Sequence, residues 1–204
     1  KRKPMKIGIL ADIHGDTVNL KKAISHLYKE GVDVFVVLGD VIYERENATE
    51  TIALLRDCDA IGVWGNHELG LCVDPEADVC AGYDDSVLGF LGTLAPSLEL
   101  EGCLFSHTFP SEDARDPLSY YADRQPGDDG ALDACFADVP HRTMMIGHFH
   151  RWFAANSGGT MAWNGDGMIP LEPNERYFFV IAALMHGYAA ILDCDENILI
   201  PVRV

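Results

Sequence analysis

Histidine, aspartate and asparagine recur in this chain directly after short apolar runs. Asp12 and His14 follow residues 6–11 (KIGILA), Asp40 follows 33–38 (DVFVVL), and Asn66 and His67 follow 60–64. His107 follows 103–106 (CLFS), and His148 and His150 follow 143–146. Imidazole and carboxylate donors suit a borderline transition metal such as Mn, Fe, Zn or Ni, and a carboxylate can bridge two cations. Two such ions roughly 3.5–4 Å apart can clamp a phosphate ester and activate a bound water. Glycines at 15, 39, 65 and 147 permit tight turns and close substrate approach beside these groups.

The elements that must position these side chains follow from periodicity. The apolar runs are short and rich in β-branched residues, as buried strands are. After the first, Leu20, Ala23, Ile24, Leu27 and Tyr28 recur at helical spacing up to Gly31, a helix stop. Residues 48–57 give a second helix before the third strand, and such alternation implies parallel strands with crossover helices. Ligands of parallel α/β sheets bind outside the carboxyl ends of strands, so the polar groups converge there. Residues 69–83 read as surface loop, 86–94 as helix, 109–130 as a polar lid or connection, and 131–137 as a short helix. The remainder reads as strands over 160–163, 177–184, 188–192 and 198–204, with hairpin turns at Gly187 and at 193–197.

A length of 204 residues fits one domain over 1–204 that buries its own core. The formal charge is −17, with 15 Lys and Arg against 32 Asp and Glu. Such a surface repels nucleic acid and anionic membranes, and a small phosphate-ester substrate could be handled on it only where metal ions meet its charge. Oligomeric state is left open. The six cysteines lie scattered without a CxxC pair, which suits reduced, mostly buried thiols in a cytoplasmic protein. No run reaches the length of a transmembrane helix, and Lys1-Arg2-Lys3-Pro4, read as a loose terminus, leads into no signal-peptide pattern.

Asp12-x-His14, Gly39-Asp40, Gly65-Asn66-His67-Glu68, His107 and Gly147-His148-x-His150 resemble, in order, the motifs of the calcineurin-like metallophosphoesterase superfamily. The size and the C-terminal strands look most like its small bacterial and archaeal phosphodiesterase branch. The resemblance spans nearly the whole chain and implies an αββα sandwich of two mixed β-sheets flanked by helices. It implies one metal held by Asp12, His14 and His150, a second held by Asn66, His107 and His148, and Asp40 as the bridge. His67, in this resemblance, contacts the phosphate and helps the leaving group depart, and a metal-bridging hydroxide attacks. The implied activity is phosphoester hydrolysis, phosphodiesters favoured. A phosphomonoesterase or phosphoprotein phosphatase on the same centre, or a non-catalytic scaffold of the same fold, are the competing expectations.

Other polar residues have plainer roles. His26 fits a solvated helix face, His141 the surface, and His186 a turn beside Gly187. Asp16 fits a helix cap, and Glu68 fits the orientation of a neighbour. Arg151, next to His150, is the candidate for an outer phosphate contact. Arg45 stands one position later than the arginine of the phosphatase motif GDxxDRG. Pro173-Asn174-Glu175-Arg176-Tyr177 replaces the Asn-Pro-Gly-Ser segment of many small phosphodiesterases.

Overall fold

The structure is a computed structural model that describes residues 5–43, 45–75, 77–121 and 123–204. The basic start Lys1-Arg2-Lys3-Pro4, and Glu44 after the second strand, lie outside the described residues. Strands β1 (Lys6–Leu10), β2 (Val34–Leu38) and β3 (Ile61–Val63) pair in parallel, with α1 (Thr17–Lys29) and α2 (Ala48–Asp57) as the crossovers. Asp16 caps α1 by accepting the Asn19 N–H at 2.9 Å, and Leu20, Ala23 and Leu27 form its buried stripe.

Three short helices follow: α3 (Leu69–Cys72), α4 (Ala77–Cys80) and α5 (Asp85–Leu91). Strands β4 (Ser97–Leu100) and β5 (Cys103–Ser106) form an antiparallel pair, and α6 (Asp133–Asp138) precedes β6 (Thr143–Ile146), which is parallel to β5. The chain ends with β7 (Phe153–Asn156), β8 (Gly159–Thr160), β9 (Ile169–Pro170), β10 (Tyr177–Val180), β11 (Tyr188–Asp193) and β12 (Ile198–Arg203). The described residues form two six-stranded mixed sheets, ordered β3-β2-β1-β11-β12-β9 and β4-β5-β6-β10-β7-β8.

Alternation along the strands divides the core into three. Ile7, Ile9, Val36 and Leu38 of one sheet meet Phe105, Met145 and Phe179 of the other between the sheets. Leu10, Phe35 and Val37 point the opposite way, against Leu20, Leu27 and Leu55 of α1 and α2. Leu104, Met144, Ile146 and Phe178 face Ala131 and Cys135 on the outside of the second sheet. Each fully buried large apolar side chain contributes about 1.5–3 kcal/mol, so these layers supply the main driving force. Both faces of each central strand are covered, hence their nearly unbroken apolar runs.

Several boundaries differ from the sequence expectations. Gly187 does not turn a hairpin, because β10 and β11 belong to different sheets. The expected strand over 177–184 ends at Val180, and the chain then crosses between sheets, with Ile181 N–H donating to Ile146 and Leu184 N–H to Ala11. Gly187, at φ +83°, closes the 3₁₀ turn Leu184–His186 on that crossing. Of the expected strand over 160–163 only Thr160 lies in a strand, at the end of β8, which pairs with β7 in a short hairpin. Residues 69–83 hold α3 and α4, and the polar stretch 109–130 holds a 3₁₀ turn, Pro117–Tyr120. The hairpin expected at 193–197 joins β11 to β12.

The six cysteines are free thiols, three buried and three half-buried. Among the described residues, no helix is long and apolar enough to cross a membrane.

Candidate metal centre

The five strand exits meet at one edge of the sandwich. After β1, the His14 N–H donates to the Asp40 carbonyl at 2.9 Å, which lashes the first exit to the second. Gly39 (φ +81°) and Gly65 let the second and third exits touch: a Cβ on Gly65 would lie 2.2 Å from Asp40 Oδ1, and one on Gly39 would lie 2.6 Å from the Gly65 nitrogen. Only glycine fits this crossing.

Glu68 locks it. Its buried carboxylate accepts three backbone N–H bonds, from Asp40 at 2.9 Å, Gly65 at 2.8 Å and Ile42 at 3.0 Å. Burial, and then the nearby Asp40 charge, push the Glu68 carboxyl up to about 7. The sequence expectation that Glu68 orients a neighbour is what the structure displays.

Asp12 is fully buried. Its Oδ1 accepts the His148 N–H at 3.0 Å, tying the fifth exit to the first, while Oδ2 has no hydrogen-bond partner among the described residues. Burial drives its carboxyl from 3.8 up to about 7. The His14 and His150 Nε2 atoms lie 3.1 Å apart, and His150 Nε2 is 3.6 Å from Asp12 Oδ1. Burial pushes the His14 imidazole down to about 4 and lowers that of His150, which keeps their lone pairs available.

Asp40 stands between two clusters. Its Oδ2 is 3.7 Å from His14 Nε2 and 3.3 Å from His107 Nε2, and its Oδ1 accepts the His67 N–H at 3.1 Å. Burial alone would raise its carboxyl, but the charge and hydrogen bond of His107, with help from His67, hold it well below the usual carboxylate range. The reciprocal effect outweighs burial at His107, whose imidazole is pushed up to about 9.

Local carbonyls select which ring nitrogen each histidine presents. His107 Nδ1 lies 2.6 Å from the Leu38 carbonyl, and His148 Nε2 lies 2.8 Å from the Tyr120 carbonyl. A carbonyl can only accept, so both of those nitrogens carry the proton. His148 Nδ1, and His107 Nε2 once the imidazolium exchanges its second proton for a cation, are then the nitrogens left to ligate, and they converge on Asn66 Oδ1 at 3.1 and 3.2 Å. Tyr120 is itself pinned, its hydroxyl donating to the Ala114 carbonyl at 2.7 Å. The stretch around Tyr120 therefore contacts the centre directly, an involvement that no residue type in 109–130 announces.

Among the described residues, two groups have ligand atoms within 4.8 Å of one another: Asp12, His14, Asp40 and His150, and Asp40, His107 and His148. The orphaned Asp12 oxygen and this set of imidazole nitrogens and carboxylate oxygens fit divalent transition metals. Backbone conformation marks the same residues. Asp12, His14, Asp40, His148 and His150 have φ between +48° and +68°, a region that costs about 1–3 kcal/mol for a non-glycine residue. Such strain persists only where the surroundings enforce it.

A cavity of about 240 Å³ opens over the cluster, lined by His14, Asp40, Asn66, His67, His148 and His150, with Tyr43 and Met185 at its lip. A larger one of about 780 Å³, around Arg56, Ile61 and Phe90, lies away from these residues.

Residues 5–176 match the sequence profile of the calcineurin-like phosphoesterases. The chain belongs to the calcineurin-like phosphoesterase family. An uncharacterised protein of Methanocaldococcus jannaschii is 22% identical over 180 residues, covering 84% of this chain and 72% of its own. A metallophosphoesterase structure from Sphaerobacter thermophilus superposes with a TM-score of 0.77 at 20% identity, covering 99% of this chain and 89% of the other. An archaeal phosphodiesterase structure superposes at 0.56 with 14% identity, covering 98% and 100%. At these identities the structural likenesses speak for the fold. They place the αββα sandwich of two mixed sheets in the metallophosphoesterase class.

The remaining expected residues sort by position. Arg151 does not line the cavity: its guanidinium lies over Phe153, 5.9 Å from the ring centre, and donates to Gln125. Arg45 lies 5.7 Å over the Tyr83 ring. Arg176 donates to the carbonyls of Phe136, Val139 and His141, a structural pin. His26 is exposed, as expected, whereas His141 is half-buried against Glu99 at 3.2 Å because β4 covers it. His186 is exposed, with its ring 5.7 Å from that of His150, so its turn borders the site. Sequence reasoning missed Tyr43 and Met185 at the lip; a tyrosine three residues after the bridging-type aspartate was the available signal.

Proposed function

We propose that this chain is a dinuclear metal-dependent hydrolase of phosphate esters, with phosphodiesters favoured. The observation that carries the reading is one carboxylate, Asp40, common to two ligand groups whose other members come from three other strand exits. In this reading Asp12, His14 and His150 hold one ion, Asn66, His107 and His148 hold the other, and Asp40 belongs to both. When bound, the ions supply the positive charge that an acidic protein lacks and a water acidic enough to give hydroxide near neutral pH.

The side chains around them do the rest. The Leu38 and Tyr120 carbonyls hold His107 and His148 in the tautomers that leave a bare nitrogen facing Asn66. Asn66, on the cavity wall, orients the ester. His67 lines the cavity with its side chain 27% exposed and its backbone fixed by Asp40, so it can reach the departing oxygen and give it a proton. Among the described residues no lysine or arginine lines the cavity, which favours the single negative charge of a diester over the double charge of a monoester.

The test is elemental analysis of the purified protein, paired with a hydrolysis screen of mono- and diesters with Mn, Ni, Fe and Zn. Two metal equivalents and faster diester hydrolysis are expected, and Asp40→Ala or His148→Ala should abolish it. Intact folding without metal uptake at micromolar concentration would leave only the scaffold reading. Preference for phosphopeptides would replace the diester assignment.

A further inference from the structure

The lip of the cavity is apolar on a strongly acidic molecule. Tyr43 is 61% exposed and Met185 38% exposed, two of the larger apolar side chains left open to water, and both line the same opening. The Tyr43 ring centre lies 5.1 Å from that of His67 with a 35° tilt, and 5.9 Å from that of His14. Tyr43 and His67 thus form a tilted pair of rings, an aromatic shelf that starts inside the cavity and runs outward. The buried part of the site already occupies His14, so the open face of Tyr43 is the side that meets a bound molecule.

Resting on the function proposed above, we infer that Tyr43 is a specificity-determining residue that stacks a planar aromatic ring of the leaving alcohol, with Met185 against its edge. His67 is the group that faces the departing oxygen, so the half of the ester beside it is the half that leaves. A ring on that half would slide onto Tyr43 and cover apolar surface that otherwise faces water. A thioether packs well at a ring edge, and its flexible chain adapts to rings of different outline. Among the described residues no lysine or arginine lines the opening, the kind of charge that a further phosphate or carboxylate on the leaving group would call for. The ring could be an aryl group or a nucleobase.

Metal-loaded wild type, Tyr43→Ala and Tyr43→Phe are compared on three methyl phosphate diesters, with p-nitrophenol, thymidine or ethanol as the second alcohol. Products are separated to show which bond breaks. Tyr43→Ala should raise KM about tenfold for one or both ring-bearing diesters, as loss of an aromatic stack does, with kcat within about threefold and ethyl methyl phosphate unaffected. Tyr43→Phe should behave as wild type. A rise confined to the thymidine ester identifies a nucleobase, and one confined to the p-nitrophenyl ester an aryl group. An equal change on all three, or none on any, overturns the inference. Calorimetric binding of phenyl methylphosphonate and ethyl methylphosphonate reads the same preference without turnover. Absence of hydrolysis would then remove the functional reading, while a phenyl preference lost in Tyr43→Ala would still uphold the shelf, and no phenyl preference in the wild type would sink it.

Discussion

Replacing Asp12 by asparagine keeps the size of a fully buried side chain and deletes its charge. In the metal-free protein the carboxyl titrates near 7 rather than 3.8, chiefly because burial disfavours the anion. A folded pKa above the unfolded one means stability that is intact below about pH 4 and drains away as pH climbs through about 7. At about 1.4 kcal/mol per pKa unit, the full loss is about 4 kcal/mol, of which about 2–3 falls between pH 5 and 8.5. The asparagine carries no such loss, but its amide nitrogen would occupy the unpartnered Oδ2 position, at about 1–3 kcal/mol for a buried donor without a bond. In chelator, Asp12→Asn should therefore gain about 2–3 kcal/mol on the wild type between pH 5 and 8.5, read from urea melts. Adding Mn or Zn should reverse the order at pH 8.5, since a cation at a hundred times its Kd adds about 2.7 kcal/mol to the protein that binds it. A gap that does not move with pH would refute the burial argument, and one that ignores metal would remove Asp12 from the ligand set.

Three other substitutions probe separate parts of the centre. His67→Ala should lower turnover by about 10²–10⁴-fold while elemental analysis still finds the wild-type metal content, and metal loss would make it a ligand instead. Glu68→Ala strands three buried N–H groups at about 1–3 kcal/mol each, so urea melts should show a loss comparable to a domain's whole stability; a loss under 1 kcal/mol would mean that the clasp is not needed. Gly65→Ala drives a Cβ to 2.2 Å from Asp40 Oδ1, and should lose about 1–3 kcal/mol or more together with metal binding, measured by melts and by metal titration.

Much of this centre could be read before any coordinates. β1, β2, β5 and β6 are buried on both faces, and the edge strand β3 is buried at Gly62 and Val63, so each shows as an apolar run that leads into a polar side chain. That rule, together with the order of the motifs, suffices to bring Asp12, His14, Asp40, Asn66, His107, His148 and His150 together. The Tyr120 carbonyl was invisible for a simple reason: every residue has a carbonyl, and only the path of the loop decides where it points. β4 (SLEL) was hidden by its exposed Ser97 and Glu99 on a sheet edge, and β7 (FAAN) by its small residues. For β10 and β11 the composition announces strands but carries no information about which sheet each joins, since that depends on remote partners such as Ile146 and Ile9.

The left-handed backbone at five of the centre's residues has a bearing on how the protein would evolve if its task disappeared. Each of those backbones would sit more easily as glycine, but Asp12 and Asp40 accept backbone N–H bonds and His148 donates to the Tyr120 carbonyl, which leaves His14 and His150 as the two whose side chains the fold can lose. A library screened for thermal endurance alone should accumulate glycine at 14 and 150, ahead of drift in the sandwich interior. Glycine gained at those two positions, both on the cavity wall, would thus show, without any assay of catalysis, that natural selection has been holding their imidazoles in place against the preference of the chain.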